Sequence, residues 1–275
     1  MQEIKAEQVI KGLLVREGAG VKLHRYIGID RTNNFEPFLL LDYFNSADSL
    51  DYQAGFPSHP HRGFETITYV LHGRIAHEDN KGHKGVIAAG DVQWMTAGKG
   101  IIHSEMPSPN ERLQGMQIWL NLPAAEKMCD PHYQEMSHNQ LPVETNDTGV
   151  RVKVIAGQTD KGTRSPITGI ATKPLFFDIS LLPGARMRQH IPDDYQTILL
   201  VISGTIRVGE QLIQQDMLAK LSSGEVLILE GETESQCILI AAARIHEPIA
   251  RYGPFVMNNQ EEIRQALEDF RNGCF

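Results

Sequence analysis

Short runs rich in β-branched and aromatic residues, broken every few positions by Gly, Asn, Asp or Pro, make up most of the chain. This pattern predicts strands of a sandwich or barrel rather than helices. Clear cases are Phe64–Leu71, Asp91–Met95, Met116–Leu120 and Thr197–Ile202. A 3.6-residue period emerges only at the C-terminus. There Asn259 and Glu262 have the spacing of a capping box, and Ile263, Ala266, Leu267 and Phe270 form one apolar stripe. Such a stripe is expected to dock on the body of the protein.

The strand pattern repeats. Val70-Leu71-His72-Gly73-Arg74-Ile75 resembles Val201-Ile202-Ser203-Gly204-Thr205-Ile206, and Ala89-Gly90-Asp91-Val92 resembles Ser223-Gly224-Glu225-Val226. Between the copies, Pro123 to Gly149 is polar and rich in turn residues. The expected organisation is therefore a first β barrel over residues 1–130, a linker over 131–149, and a second barrel with the terminal helix over 150–275.

A length of 275 residues suits two domains, and 41% hydrophobic residues suffice for two cores. The formal net charge of -8, with no long basic block, excludes direct nucleic-acid binding as the expected role. The N-terminal sequence lacks the apolar core of a secretory signal, and the longest apolar run, Cys237 to Ala243, is too short to span a bilayer. Cys129, Cys237 and Cys274 show no C-x-x-C spacing, as expected of reduced thiols. These features predict a soluble cytoplasmic protein with no membrane partner.

Two triplets carry the candidate chemistry: His59-Pro60-His61 and His103-Ser104-Glu105. Residues two apart in a strand share a face, so each triplet presents two donors side by side. Two such strands meeting inside a barrel offer four ligands. A single H-x-H is more often an ordinary surface or core feature. However, six of the eleven histidines fall between positions 59 and 103. Three imidazoles and a carboxylate suit a divalent transition metal such as Fe, Mn, Ni, Cu, Co or Zn, and are too nitrogen-rich for Ca or Mg.

Glu65 lies an even four residues beyond His61 and competes for the same face, unless Gly63 introduces a bulge. Phe56, Phe64, Trp94 and Met95 are candidate walls of an aromatic cavity, although barrel filling is expected to account for at least half of them. Lys99 and Arg62 are candidates either for binding an anionic substrate or for simple solvation, and His72, His77 and His83 are expected to be bystanders. Gly98 and Gly100 are expected to set the turn that aims His103. In the second copy, counting from Gly204 and Gly224 places His190, Pro192, Gln196, Cys237 and Leu239 where the first has its candidate ligands. The second barrel is therefore expected to be structural.

The stretch from His59-Pro-His-Arg-Gly-Phe-Glu-Thr, through Gln93-Trp94-Met95-Thr96-Ala97-Gly98-Lys99-Gly100, to His103-Ser104-Glu105-Met106 resembles the pirin family of the cupin superfamily. The tail Tyr252-Gly253-Pro254-Phe255-Val256-Met257-Asn258 is similar too. The resemblance implies an all-β bicupin: two antiparallel double-stranded β-helix (jelly-roll) barrels face to face, with a short C-terminal α-helix. It implies one metal, usually Fe(II), on His59, His61, His103 and Glu105, with Glu65 nearby but not a ligand. Two activities follow from it. One is a quercetin 2,3-dioxygenase-like oxidoreductase that opens flavonols with O₂ and releases carbon monoxide, Glu105 serving as the base. The other is a non-enzymatic iron-binding regulator that acts on a protein partner. Members of the family are, as a rule, monomers.

Overall fold

A computed structural model describes residues 2–29 and 35–275; Met1 and residues 30–34 lie outside the described residues. The chain divides into two compact units, each assembled from two separate stretches of sequence.

The histidine-bearing unit comprises Leu13–His138 and Ile245–Phe275. Its seven-stranded antiparallel sheet runs in the order His132–Met136, Val92–Thr96, Phe64–His72, Leu113–Asn121, Phe38–Ser46, Val21–Ile27, Leu13–Glu17. A four-stranded sheet follows the order Phe56–His61, Ile101–Pro107, Arg74–Asp79, Lys84–Ala88. Alternation fills the interior: Val21, Leu23, Phe44, Val70, Ile75, Ile87 and Leu113 form one buried cluster drawn from both sheets. The expected strands are all present, each within two or three residues of its expected ends.

The other unit comprises Met1–Gly12 and Asn139–Arg244 and repeats the architecture. Its seven-stranded sheet runs Ala6–Lys11, Met217–Leu221, Tyr195–Ser203, Ser235–Ala243, Leu175–Leu181, Val150–Ala156, Val143–Thr145. Its four-stranded sheet runs Arg186–His190, Val226–Gly231, Thr205–Val208, Gln211–Gln214. Apart from the outer edge strand, which comes from after the barrel in one unit and from before it in the other, the sheet orders match, so the repeat seen in sequence is a repeat of fold.

The unit boundaries depart from those expected at 130 and 150. The segment read as a linker is largely paired: His132–Met136 lies against Val92–Thr96, and Val143–Thr145 against Val150–Ala156. The N-terminal strand Ala6–Lys11 pairs with Met217–Leu221 in the second unit, not the first. The C-terminal segment belongs to the first unit, where Lys127 Nζ donates to the carbonyls of Gly63 and Val256 at 2.8 and 3.0 Å. Long-range strand pairing decides membership, and local sequence carries little trace of it.

The C-terminal helix, Gln260–Arg271, begins as expected. Asn259 Oδ1 accepts from Glu262 N–H at 3.0 Å, and Glu262 Oε1 accepts from Asn259 Nδ2 at 2.8 Å. Ile263 and Ala266 are buried against Ala250, Phe255, Met257 and Phe275, with Leu267 partly covered. The stripe is a docking face. Among the described residues no helix is long and apolar enough to cross a membrane.

Candidate metal centre

The two triplets lie on neighbouring antiparallel strands, with His103 paired to His59 and Ile101 to His61. On Ile101–Pro107 burial alternates, which turns His103 and Glu105 inward and Ser104 and Met106 outward. The three imidazoles meet: ring centroids are 4.7 Å apart for His59–His61, 4.5 Å for His59–His103 and 5.0 Å for His61–His103. One nitrogen from each ring lies within 4.8 Å of the others.

The hydrogen bonding of the rings indicates their purpose. His59 Nδ1 lies 2.8 Å from the Pro57 carbonyl, which only accepts, so Nδ1 carries the proton and Nε2 presents a lone pair. His59 Nε2 and His61 Nε2 are 3.0 Å apart. Two nitrogens each about 2.1 Å from one ion, at right angles, would be separated by about 3 Å. His61 Nδ1 and both nitrogens of His103 are buried without a hydrogen-bond partner. A buried imidazole nitrogen left unpaired costs free energy unless something absent from the polypeptide occupies it.

Burial holds His61 well below the ordinary histidine range, reinforced by the neighbouring histidines. Burial likewise lowers His103 to about 4, with Glu105 opposing the shift. Both rings are therefore neutral at pH 7, the form that ligates. The donor set fits a transition metal.

Glu105 is buried beside the cluster but is engaged elsewhere. Its carboxylate accepts from Thr68 Oγ1 at 2.9 Å and from Gln117 Nε2 at 2.7 Å, and it lies outside the three-histidine group. Glu65 is not brought to the histidines. At Gly63 (φ 85°) the chain leaves the four-stranded sheet that carries His61 and enters the seven-stranded sheet that carries Glu65. The even spacing therefore carries no shared face. Glu65 accepts from Thr96 Oγ1 at 2.8 Å, and burial pushes its carboxyl up to about 7. A side chain at Gly63 would place Cβ 2.0 Å from the Val256 carbonyl oxygen, so the close approach also requires glycine.

A cavity of about 590 Å³ opens at the cluster, with His59 and His61 on one wall and Phe56, Gln117, Trp119 and Arg251 among the others. Of the expected aromatic walls only Phe56 lines it. Phe64 supports it from behind, 4.5 Å from the Trp119 ring and 5.1 Å from the His61 ring, whereas Trp94 and Met95 are core. Trp119 and Gln117 went unselected in the sequence. Trp119 Nε1 donates to Gln117 Oε1 at 3.2 Å, which turns the Gln117 amide N–H toward Glu105.

Neither Arg62 nor Lys99 lines the cavity. Arg62 is buried against Asp269 at 2.6 Å and packs over the Phe275 ring, and Lys99 pairs with Asp130. His72 and His83 are exposed, whereas His77 is buried opposite Glu105 in the strand register, with Nε2 3.0 Å from Glu135 Oε1. Gly98 and Gly100, at φ 49° and 135°, make the turn that leads into the His103 strand.

In the second unit the strand matching Ile101–Pro107 is Val226–Gly231, so counting forward from Gly224 to Cys237 and Leu239 lands one strand too far. Loop lengths between the copies differ, and a fixed offset cannot survive that. At the matching place Met187 and Gln189 oppose Leu229 and Leu227; Met187 and both leucines join a large apolar cluster, and Gln189 Nε2 donates to Asp160 at 3.2 Å. His190 is exposed, and Gln196 is occupied by Arg244 at 2.7 Å.

Two barrels of matching strand order, one with an imidazole cluster and one filled with hydrocarbon, define a bicupin. The family model described as Pirin matches residues 20–120, and that described as Pirin C-terminal cupin domain matches residues 176–275. The sequence is 45% identical over 269 residues to a pirin-like protein of Caulobacter vibrioides, covering 98% of each chain. The fold is similar to that of quercetin 2,3-dioxygenase from Acinetobacter baumannii, with TM-score 0.90 and 33% identity over 99% of this chain and 98% of that one. It also matches the Escherichia coli pirin YhhW, solved with nickel(II), with TM-score 0.64 and 20% identity over 88% and 99% of the two chains, a likeness of fold alone. The chain belongs to the pirin family.

Proposed function

We propose that this protein is a metal-dependent dioxygenase of the cytoplasm that opens the ring of flavonols such as quercetin with O₂. The observation that carries the reading is the convergence of three imidazoles, two of them on the wall of a cavity faced by Trp119 and Phe56. The similarity to an Acinetobacter quercetin 2,3-dioxygenase supports it.

His59, His61 and His103 would hold the metal, with Glu105 as the fourth ligand. Fe(II) is the foremost candidate, and Mn, Ni, Cu, Co and Zn suit the same donors. When bound, the ion supplies Lewis acidity at a hydroxyl and redox or templating chemistry toward O₂.

The polypeptide does the rest. Trp119 and Phe56 accept the flat faces of the substrate and fix its plane. Glu105 takes the proton of the 3-hydroxyl at a carboxylate oxygen. Gln117 and Thr68, already bonded to that carboxylate, hold it in place while it works. The cavity orients the ring and keeps bulk water away from the reacting carbon.

The test is to incubate iron-loaded protein with quercetin in air and follow loss of the flavonol absorbance. Turnover is expected, and it should vanish without O₂ and in His61→Ala. No turnover with any first-row metal would overturn the reading.

A further inference from the structure

The cavity wall beyond the histidines carries a cation that no carboxylate contacts. Arg25 and Arg251 both line the cavity, as do the carboxylates Glu17 and Asp42. Arg25 takes both acids: it donates to Asp42 through Nε and Nη2 at 2.8 and 2.7 Å and pairs with Glu17 through Nη1 at 2.8 Å. Its fork is filled.

Arg251 donates to the Leu39 carbonyl at 3.0 Å, and its guanidinium lies 4.9 Å from the Trp119 ring centroid. Among the described residues no carboxylate lies within ion-pair distance of it, and Asp42 and Glu17 attract it only from further off. An arginine needs five acceptors and here has one, so donors remain for a ligand. The Trp119 ring is itself 5.2 Å from His61. His61 and Arg251 thus both adjoin the Trp119 ring, at 5.2 and 4.9 Å, and all three line the cavity. A two-ring aromatic skeleton laid against Trp119 would present one end to the imidazoles and the other to the guanidinium.

We propose that Arg251 is a specificity-determining residue and that the natural substrates are planar aromatic acids, carrying a carboxylate or an ionised phenol at the end remote from the histidines. A neutral arene fills the same cavity but leaves the guanidinium without an anion in contact. This rests on the reading of the cavity as the substrate site and goes further by fixing the charge of what enters. Arg251 is solvent-accessible, so the ligand's anion stays partly hydrated and the gain is modest, about tenfold in affinity.

The test uses zinc-loaded full-length protein, which does not oxidise its ligand, titrated calorimetrically at low salt. The probes are 2-naphthoate and its neutral near-isostere 2-naphthamide, measured on the native protein and on Arg251→Gln. Any direct attraction of carboxylate to zinc is common to both proteins and cancels in the comparison. The preference for naphthoate should fall about tenfold in Arg251→Gln, with naphthamide affinity held within twofold. A preference that changes less than threefold overturns the proposal. So does an equal weakening of both ligands, which would make Arg251 merely a prop for Trp119, and so does failure of the native protein to bind either probe. The two readings separate cleanly. A protein that never consumes quercetin yet shows the Arg251-dependent preference loses the dioxygenase assignment and keeps this one, and the converse result removes this one alone.

Discussion

Replacing His103 by leucine should stabilise the metal-free protein. Both ring nitrogens of His103 are buried without partners, and an unsatisfied buried polar group costs about 1–3 kcal/mol. Leucine fills the space with no polar atom. The metal-free variant should therefore gain about 1 kcal/mol, after allowance for imperfect packing. The native protein should instead gain about 2.7 kcal/mol from metal at a hundredfold excess over Kd, a gain that His103→Leu should lose.

The assay is denaturant unfolding, with and without EDTA, followed by tryptophan fluorescence. Both tryptophans, Trp94 and Trp119, lie in the histidine-bearing unit, so the signal reports on that unit. The variant should also be less acid-sensitive. His103 is depressed to about 4, so the unfolded chain binds a proton there first as pH falls through the usual histidine range near 6.5. Native stability should drop by about 3 kcal/mol between those values from this group alone, and His103→Leu should remove that part of the drop. Destabilisation of the metal-free variant by more than about 1 kcal/mol, or a surviving metal-induced gain, would refute the view that the site is built at the expense of stability.

Glu65, raised to about 7, favours folding below its ordinary value near 4.5 and loses that favour as pH rises from there through 7; Glu65→Gln should stabilise the protein at pH 8 by about 1–3 kcal/mol and flatten its stability profile between about pH 4.5 and 7. Lys127→Met strands the three acceptors of its ammonium, at Gly63, Asn121 and Val256, and should cost about 3 kcal/mol in the same unfolding assay. Gln117→Leu frees Glu105 from its amide donor; metal affinity should change less than tenfold while kcat for flavonol falls about 10–100-fold, in a steady-state absorbance assay. Equal losses in kcat and metal affinity would show that Gln117 serves the metal and not the base.

The histidines were legible because strand alternation is a local rule. His59 with His61, and His103 with Glu105, each share a face for the reason the spacing gave. Glu65 obeyed the same arithmetic but not the same geometry, because the chain changes sheet at Gly63 and parity ends there. Trp119 and Gln117 sit two apart on a strand recognised from the sequence. Alternation placed them on one face, but only the fold shows that this face is the cavity wall and not the core. Arg251 lies far along the chain, in a segment assigned to the wrong unit. Its approach to Trp119 depends on long-range contacts of the C-terminal segment that no local pattern encodes.

The central claim is that three imidazoles grip one ion, and X-ray absorption at the iron edge of the loaded protein tests it most directly. The account predicts about one iron per chain, with outer-shell scattering from three imidazole rings that falls by a third in His103→Leu if any iron is retained. Iron bound with one imidazole or none, or a spectrum unchanged by that substitution, would contradict it.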